Sequence, residues 1–246
     1  MLRKSLVALC AIVVFGAVFA APARAQSQAV SLNIGYFTVR GLDARAAQTP
    51  PDVLAAELNG GQYDALAFDL NHFNSVTFGG EWLIGLGDFL EGGVGVGYYS
   101  RSVPSVSANF VNTNQSEIQQ TLRLRIVPIT ASVRFLPLGR RAIVEPYIGA
   151  GLGIFAWRYT EVGQFVFSNQ DGSADIVSGD YLGSGTSVGP VIIGGARFPF
   201  GNYAIGGEIR WQRATGTLPT DQFLSDHVDL GGITYQATFV VRFGGR

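Results

Sequence analysis

The sequence predicts an all-β chain: an eight-stranded antiparallel up-and-down transmembrane β-barrel behind a cleaved N-terminal signal peptide. Three observations predict it. The first is the last strand. Its odd positions are Tyr235, Ala237, Phe239, Val241 and Phe243, and its even positions are Gln236, Thr238, Val240 and Arg242. Side chains alternate faces along a strand, so one face is apolar and aromatic and the other mostly polar. Eight rises of roughly 3.3 Å, tilted by roughly 40°, span a height of about 20 Å, near the apolar band of a membrane barrel. The second is the N-terminus: basic Arg3 and Lys4, an apolar run from Leu6 to Ala21, and Ala23-Arg24-Ala25 as a cleavage site. That run is shorter than the roughly 20 residues a spanning helix needs. Residues 1–25 are therefore read as signal and 26–246 as one barrel domain. The third is a regular alternation of short and long connections.

Each strand follows from its alternation and its bounding turns. The first is Val30–Arg40, with Val30, Leu32, Ile34 and Tyr36 on one face. The second is Ser75–Ile84, with Val76, Phe78, Trp82 and Ile84 outward, closed by Gly85-Leu86-Gly87-Asp88. The third is Phe89–Arg101, with Leu90, Val94, Val96 and Tyr98 outward. The fourth is Ile118–Phe135, closed by Pro137-Leu138-Gly139. The fifth is Ile143–Trp157, with Ile148, Ala150, Leu152 and Ile154 outward. The sixth is Ser187–Phe198, turning at Phe200-Gly201-Asn202. The seventh is Tyr203–Arg213 and the eighth Gly232–Phe243. The eighth closes the ring against the first. Long connections fall at 41–74, 102–117, 158–186 and 214–231, which makes them extracellular loops and puts both termini in the periplasm. Within the first loop, Pro51 to Leu58 before Asn59-Gly60-Gly61 reads as a short helix, with Leu54 and Leu58 one turn apart.

Three prolines, Pro128, Pro146 and Pro190, fall inside these strands, where proline removes a ladder donor. At Pro128 the apolar phase changes. Leu122, Leu124 and Ile126 precede it, and Ile129, Ala131, Val133 and Phe135 follow, the pattern of a β-bulge.

The apolar face is the continuous one, so it faces lipid and the charged face lines the lumen. That face carries Glu81, Glu91, Glu145 and Glu208, with Arg101, Arg123, Arg125, Arg134, Arg197, Arg210 and Arg242. On the lipid side each arginine would cost roughly 2–4 kcal/mol at the midplane. Glu81, Glu91, Arg134, Glu145, Arg197, Glu208 and Arg242 all stand near the short turns or the chain end. They predict an Arg–Glu network toward the periplasmic end of the lumen, which Arg210 extends. An eight-stranded barrel leaves an interior just wide enough for side chains, so the network reads as a plug, with a charged gate as the alternative. Gly93, Gly95, Gly97, Gly149, Gly151 and Gly153 on the same face make room for Tyr99, Tyr147 and the arginines. Trp82, Phe135, Phe198 and Phe243 form one interfacial girdle, and Tyr36, Tyr98, Trp211 and Tyr235 the other.

Composition narrows the chemistry. Cys10 and Met1 are the only cysteine and methionine, and both lie in the signal. The mature chain therefore has no thiolate chemistry, disulfide or cysteine metal site. Its 14 bases against 18 acids give a net charge of −4, after the signal's three bases leave the total of 17. That excludes the basic footprint of a nucleic-acid binder. Charged residues make up 14% of the chain, against roughly 25% in soluble domains.

The segment Pro146-Tyr147-Ile148-Gly149-Ala150-Gly151-Leu152-Gly153 and the final strand Tyr235–Phe243 resemble small bacterial outer-membrane β-barrels of the OmpX/OmpW and opacity-protein type. The resemblance covers the whole mature chain. It implies passage through the periplasm with chaperones and insertion into outer-membrane lipid. It also implies that Tyr235, Ala237, Phe239, Val241 and Phe243 form the signal read by the barrel assembly machinery. Here Gly244-Gly245-Arg246 follow the final aromatic, whereas the family usually ends on it. The resemblance implies no particular activity.

Two histidines remain as candidate catalysts. His227 lies in Ser225-Asp226-His227-Val228-Asp229, and His72 stands at the matching outer end of the second strand. A triad is defined by geometry rather than adjacency, so the run reads as a solvated loop. Asn169-Gln170-Asp171-Gly172 with Asp175 and Asp180 misses the spacing of a calcium loop. The expectation is a monomeric, non-catalytic barrel without cofactor or metal, acting structurally or through its surface loops. A narrow channel for small or apolar molecules is the alternative, and a lipid-modifying enzyme using His227 is the third reading.

Overall fold

The computed structural model describes residues 27–60, 65–168 and 174–243. Residues 1–26, which include the expected signal, Asn169 to Gly172 and Gly244 to Arg246 lie outside them. Eight strands form the wall: β1 (Gln28–Val39), β2 (Ser75–Gly85), β3 (Leu90–Val111), β4 (Glu117–Phe135), β5 (Glu145–Ser168), β6 (Ala174–Phe200), β7 (Tyr203–Gln212) and β8 (Gly232–Phe243). Each pairs antiparallel with its chain neighbours, and β8 closes the seam antiparallel to β1, where Gln28 opposes Phe243 and Val39 opposes Gly232. The β3–β4 ladder completes the ring, leaving no open edge at membrane height.

Outward positions form the expected belt. Leu32, Ile34, Phe78, Val96, Ile129, Leu152, Ile205, Tyr235 and Phe239 are all exposed, although each is a large apolar side chain. Only lipid makes such a surface stable. On β5 the belt runs from Ile148 to Ala156 and ends at exposed Arg158, which opposes Arg125 of β4. Arg123 and Arg125 therefore stand outside the wall above the belt, not in the lumen as the sequence suggested. Arg101 keeps the inward phase but is exposed at the rim, where its Nε donates to the His72 carbonyl at 2.7 Å.

No bulge occurs at Pro128. Val96 pairs with Ile129 and Tyr99 with Ile126, an equal advance on both strands. The β4–β5 register is likewise continuous from Gln120 to Phe135. Leu122, Leu124 and Ile126 share the phase of Thr130, Ser132 and Arg134, and all six point inward and are buried. The chain keeps its period, and the interior changes chemistry instead. It is charged near the periplasmic turns and apolar near the outer end.

Two of the four long connections are strand for most of their length. β3 runs to Val111 and β4 starts at Glu117, while β5 runs to Ser168 and β6 starts at Ala174. These two hairpins rise above the belt as a tall wall on one side. Along them the exposed face mixes polar residues with Val111, Val162, Val177 and Leu182, while the buried face carries Val103, Leu122 and Tyr159 beside Gln120 and Glu161, so a search for an unbroken outward apolar alternation stops too early. The other two connections fold down inside that wall. Residues 41–74 carry α1 (Leu42–Ala46), α2 (Val53–Asn59) and a 3-10 turn (Leu70–Phe73). Asp52 caps α2 by accepting from the Leu54 amide, and Gly60 ends it at φ 73°. Residues 213–231 hold a two-stranded ribbon, Thr215–Thr217 against His227–Asp229.

Candidate functional site

The lumen is closed at two heights. At the inner height, the four carboxylates Glu81, Glu91, Glu145 and Glu208 meet Arg134, Arg140, Arg197, Arg210 and Arg242. Arg134 is bound to Glu81, to Glu208 at 2.9 Å and to Glu91 at 3.6 Å. Arg197 engages both oxygens of Glu91 at 3.1 Å and approaches Glu145 at 3.6 Å. Arg210 reaches Glu208 at 3.1 Å and Glu81 at 3.4 Å, and Arg242 reaches Glu145 at 2.5 Å. The strand register builds these contacts: Glu91 opposes Arg134 across β3–β4, and Glu145 opposes Arg197 across β5–β6.

Two further members were not counted in the charge network from the sequence, although Tyr147 was placed on the lumen face. Arg140 lies in the turn after β4 and binds Glu91 at 2.9 Å. Tyr147 donates to Glu208 at 3.0 Å, and its ring lies between the guanidiniums of Arg134 (4.9 Å) and Arg197 (5.1 Å). An inward aromatic next to Pro146 in a glycine-rich strand was the available clue. The Tyr147 ring needs Gly195, where a Cβ would fall 2.7 Å from its hydroxyl. Ser132, Thr130 and Gln236 donate or accept around the same charges.

At the outer height an apolar core closes the barrel. Val103, Leu122, Leu124, Phe155, Trp157 and Tyr159 of the wall pack with Val53 and Leu54 of α2, Phe73, Phe223, Val228 and Leu230. Arg45, fully buried, stitches the two folded-in connections together. It donates to Asp52 at 2.7 Å, to the Asp229 carbonyl at 3.1 Å and to the Arg40 carbonyl at 2.9 Å. Between the two heights lies a void of about 40 Å³, lined by Asn33, Tyr99, Pro128, Arg210 and Gln236 among others.

His227 belongs to this cap. Its Nδ1 lies 2.7 Å from Asp226 Oδ1 and its Nε2 2.9 Å from Gln48 Oε1. The Ser225 hydroxyl donates to the Pro51 carbonyl at 2.6 Å and stands 3.4 Å from His227 Nδ1. His72 is exposed on the 3-10 turn and is not among the partners of His227. Asp175 and Asp180 stand on β6, and no cluster of three or more potential metal ligands occurs among the described residues.

The residues of the proposed assembly signal, Tyr235, Ala237, Phe239, Val241 and Phe243, lie on the lipid face of β8, in register with Tyr36, Ile34, Leu32, Val30 and Gln28. No protein-family model and no curated protein matches this chain. Among solved structures it is similar to neisserial surface protein A (NspA), at 12% identity and a TM-score of 0.48 over 88% of this chain and 97% of that one. It is also similar to Ail of Yersinia pestis, solved with the heparin analogue sucrose octasulfate, at 14% identity, a TM-score of 0.41 and 89% and 100% coverage. The N-terminal β-barrel domain of Pseudomonas aeruginosa OprF matches at 11% identity, a TM-score of 0.39 and 89% and 100% coverage. A closed eight-stranded antiparallel ring, apolar outside and charged inside, defines the class: this is the architecture of a transmembrane β-barrel, whose outer face is built for lipid.

Proposed function

We propose that this protein is a non-catalytic, monomeric outer-membrane barrel with a sealed lumen. It acts structurally or by surface interaction through the part of the wall that stands above the outer leaflet. The observation that supports this reading is the double closure: paired charges at one height, an apolar core at the other, and a void of about 40 Å³ between them. A void that size holds ordered water and no solute path. The Ser225 hydroxyl, committed to a backbone carbonyl, lacks the geometry of a nucleophile activated by His227, which supports a role without catalysis. The β5–β6 hairpin is continuous antiparallel ladder to Ser168, and the β3–β4 hairpin is paired to Val106 and again at Val111, so both offer an extended strand surface to a partner. Planar-bilayer recording on refolded protein tests the reading. The expected result is a silent bilayer. Reproducible unitary steps from the wild-type chain would overturn it in favour of a channel.

A further inference from the structure

Above the belt, α2 and β5 bring two carboxyls together without a counter-ion. Glu57 and Glu161 are both buried, and neither is paired with a basic side chain among the described residues. Both line a cavity of about 150 Å³. Gln120 lines it too. Its amide nitrogen donates to the Gln164 carbonyl at 2.8 Å, which leaves Oε1 buried without a partner. One oxygen of Glu161, Oε1, is likewise unpartnered. Phe165, Tyr181 and Phe223 form apolar walls, with ring centroids 4.6 Å apart for the first pair and 6.4 Å for the second.

Asp221, Thr220 and Gln222 complete the polar part of the lining, and carboxyls with no basic residue among them, set in aromatic walls, have the chemistry of a cation site. Ammonium groups are attracted to aromatic faces, and buried carboxylates without a partner are costly. Calcium takes six to eight oxygens, whereas most of this lining is apolar. We propose that this cavity binds a small organic cation, a protonated amine on an apolar body. Glu57 and Glu161 hold the ammonium, Gln120 Oε1 accepts one of its protons, and Phe165, Tyr181 and Phe223 enclose the body. The site is reached from the cell surface and uses no route through the barrel.

Burial pushes the Glu161 carboxyl up to about 7, against the opposing pull of the Tyr159 hydroxyl. Burial, reinforced by the charge of Glu161, pushes the Glu57 carboxyl well above its ordinary range. The empty pocket therefore holds protons at mildly acid pH, and a bound cation displaces them.

Calorimetric titration of the refolded full chain in micelles with phenethylamine tests the proposal, with phenethyl alcohol and calcium chloride as comparators. Saturable amine binding is expected, roughly tenfold or more tighter at pH 8 than at pH 5.5. Glu57→Gln and Glu161→Gln, which keep shape and remove a buried acid, are each expected to weaken it by roughly tenfold or more. Equal binding of the alcohol, unchanged binding in both variants, or no saturable amine binding at pH 8 would overturn the proposal. Calcium binding with a silent amine would overturn it in favour of a metal site. The titration reads the pocket alone and conductance reads the lumen, so either reading can fail without the other.

Discussion

Arg134 meets three carboxylates, Glu81, Glu91 and Glu208, with its guanidinium over the ring of Tyr147. Removing Arg134 leaves Glu81 and Glu208 to share the single guanidinium of Arg210, while Glu91 keeps Arg197 and Arg140, so a central buried counter-charge is lost at a cost of up to about 3–5 kcal/mol. Arg134→Met should therefore lose about that much in urea unfolding from lipid vesicles. Arg242→Met should lose much less, because Arg242 is 26% exposed and its carboxylate partner Glu145 still has Arg197 at 3.6 Å. Equal losses would mean that the network is not organised around Arg134. Eight members of this network were legible in the sequence because they share the lumen phase, and seven of them stand close to a short turn or the chain end. Arg140 was not, because a turn has no alternation that assigns a face. Arg123 and Arg125 were misplaced for the opposite reason. The phase was taken to reverse at Pro128, which turned the arginines inward, whereas the ladder runs through unbroken.

β4 carries the same lesson at the scale of an element. Its inward residues are Leu122, Leu124 and Ile126 above Pro128, and Thr130, Ser132 and Arg134 below. Alternation alone identifies which positions share a face, not what that face touches, so an apolar run can mean lipid or a capped interior. No cysteine lies between residues 11 and 246, so single cysteines placed in the wall report cleanly. Arg123→Cys and Arg125→Cys should react with a membrane-impermeant maleimide on intact cells, and Leu122→Cys and Leu124→Cys should not. The reverse pattern would restore the bulge. The docking of α2 in the cap gives a second test. Glu57 of α2 and Glu161 of β5 line one cavity there, with Gln120 and Asp221 on the same lining, Tyr159 nearby and the Arg45–Asp52 pair at the base of α2. A carboxyl raised by folding binds more protons in the docked state than in the undocked one. Docking is thus firmest below about pH 4.5 and weakens as pH rises through about 7. Amide exchange in α2, corrected for its intrinsic rate, should show protection falling from pH 5 to pH 8. Glu161→Gln should flatten that slope, and a slope unchanged in that variant would remove Glu161 as its cause.

Over the whole molecule, the eight-strand ring and its outward apolar face were readable from the chain because lipid imposes one uniform demand on every strand. The cap was not, because α1, α2 and the 213–231 ribbon find their places only against the tall hairpins, through contacts far apart in sequence such as Arg45 to Asp229. The two closures lie in series along one lumen, and this sets an expectation that neither closure gives alone. A barrier in series blocks flow whatever happens to its neighbour. Opening the charged height by Arg134→Ala with Glu208→Ala should leave the bilayer silent, because the apolar cap still stands above it. Opening the cap by Leu54→Glu, which forces a charge into a fully buried position, should also leave it silent, because the Arg–Glu network still fills the barrel below. Only the triple variant should conduct. If the cap variant conducts alone, the charged height is permeable and the network is a gate rather than a plug. If the double variant conducts alone, the cap opens in solution more readily than its packing implies. A heat-sensitive gel mobility recorded for each variant would show which of them still form the barrel, so that a silent trace can be read as closure rather than as misfolding.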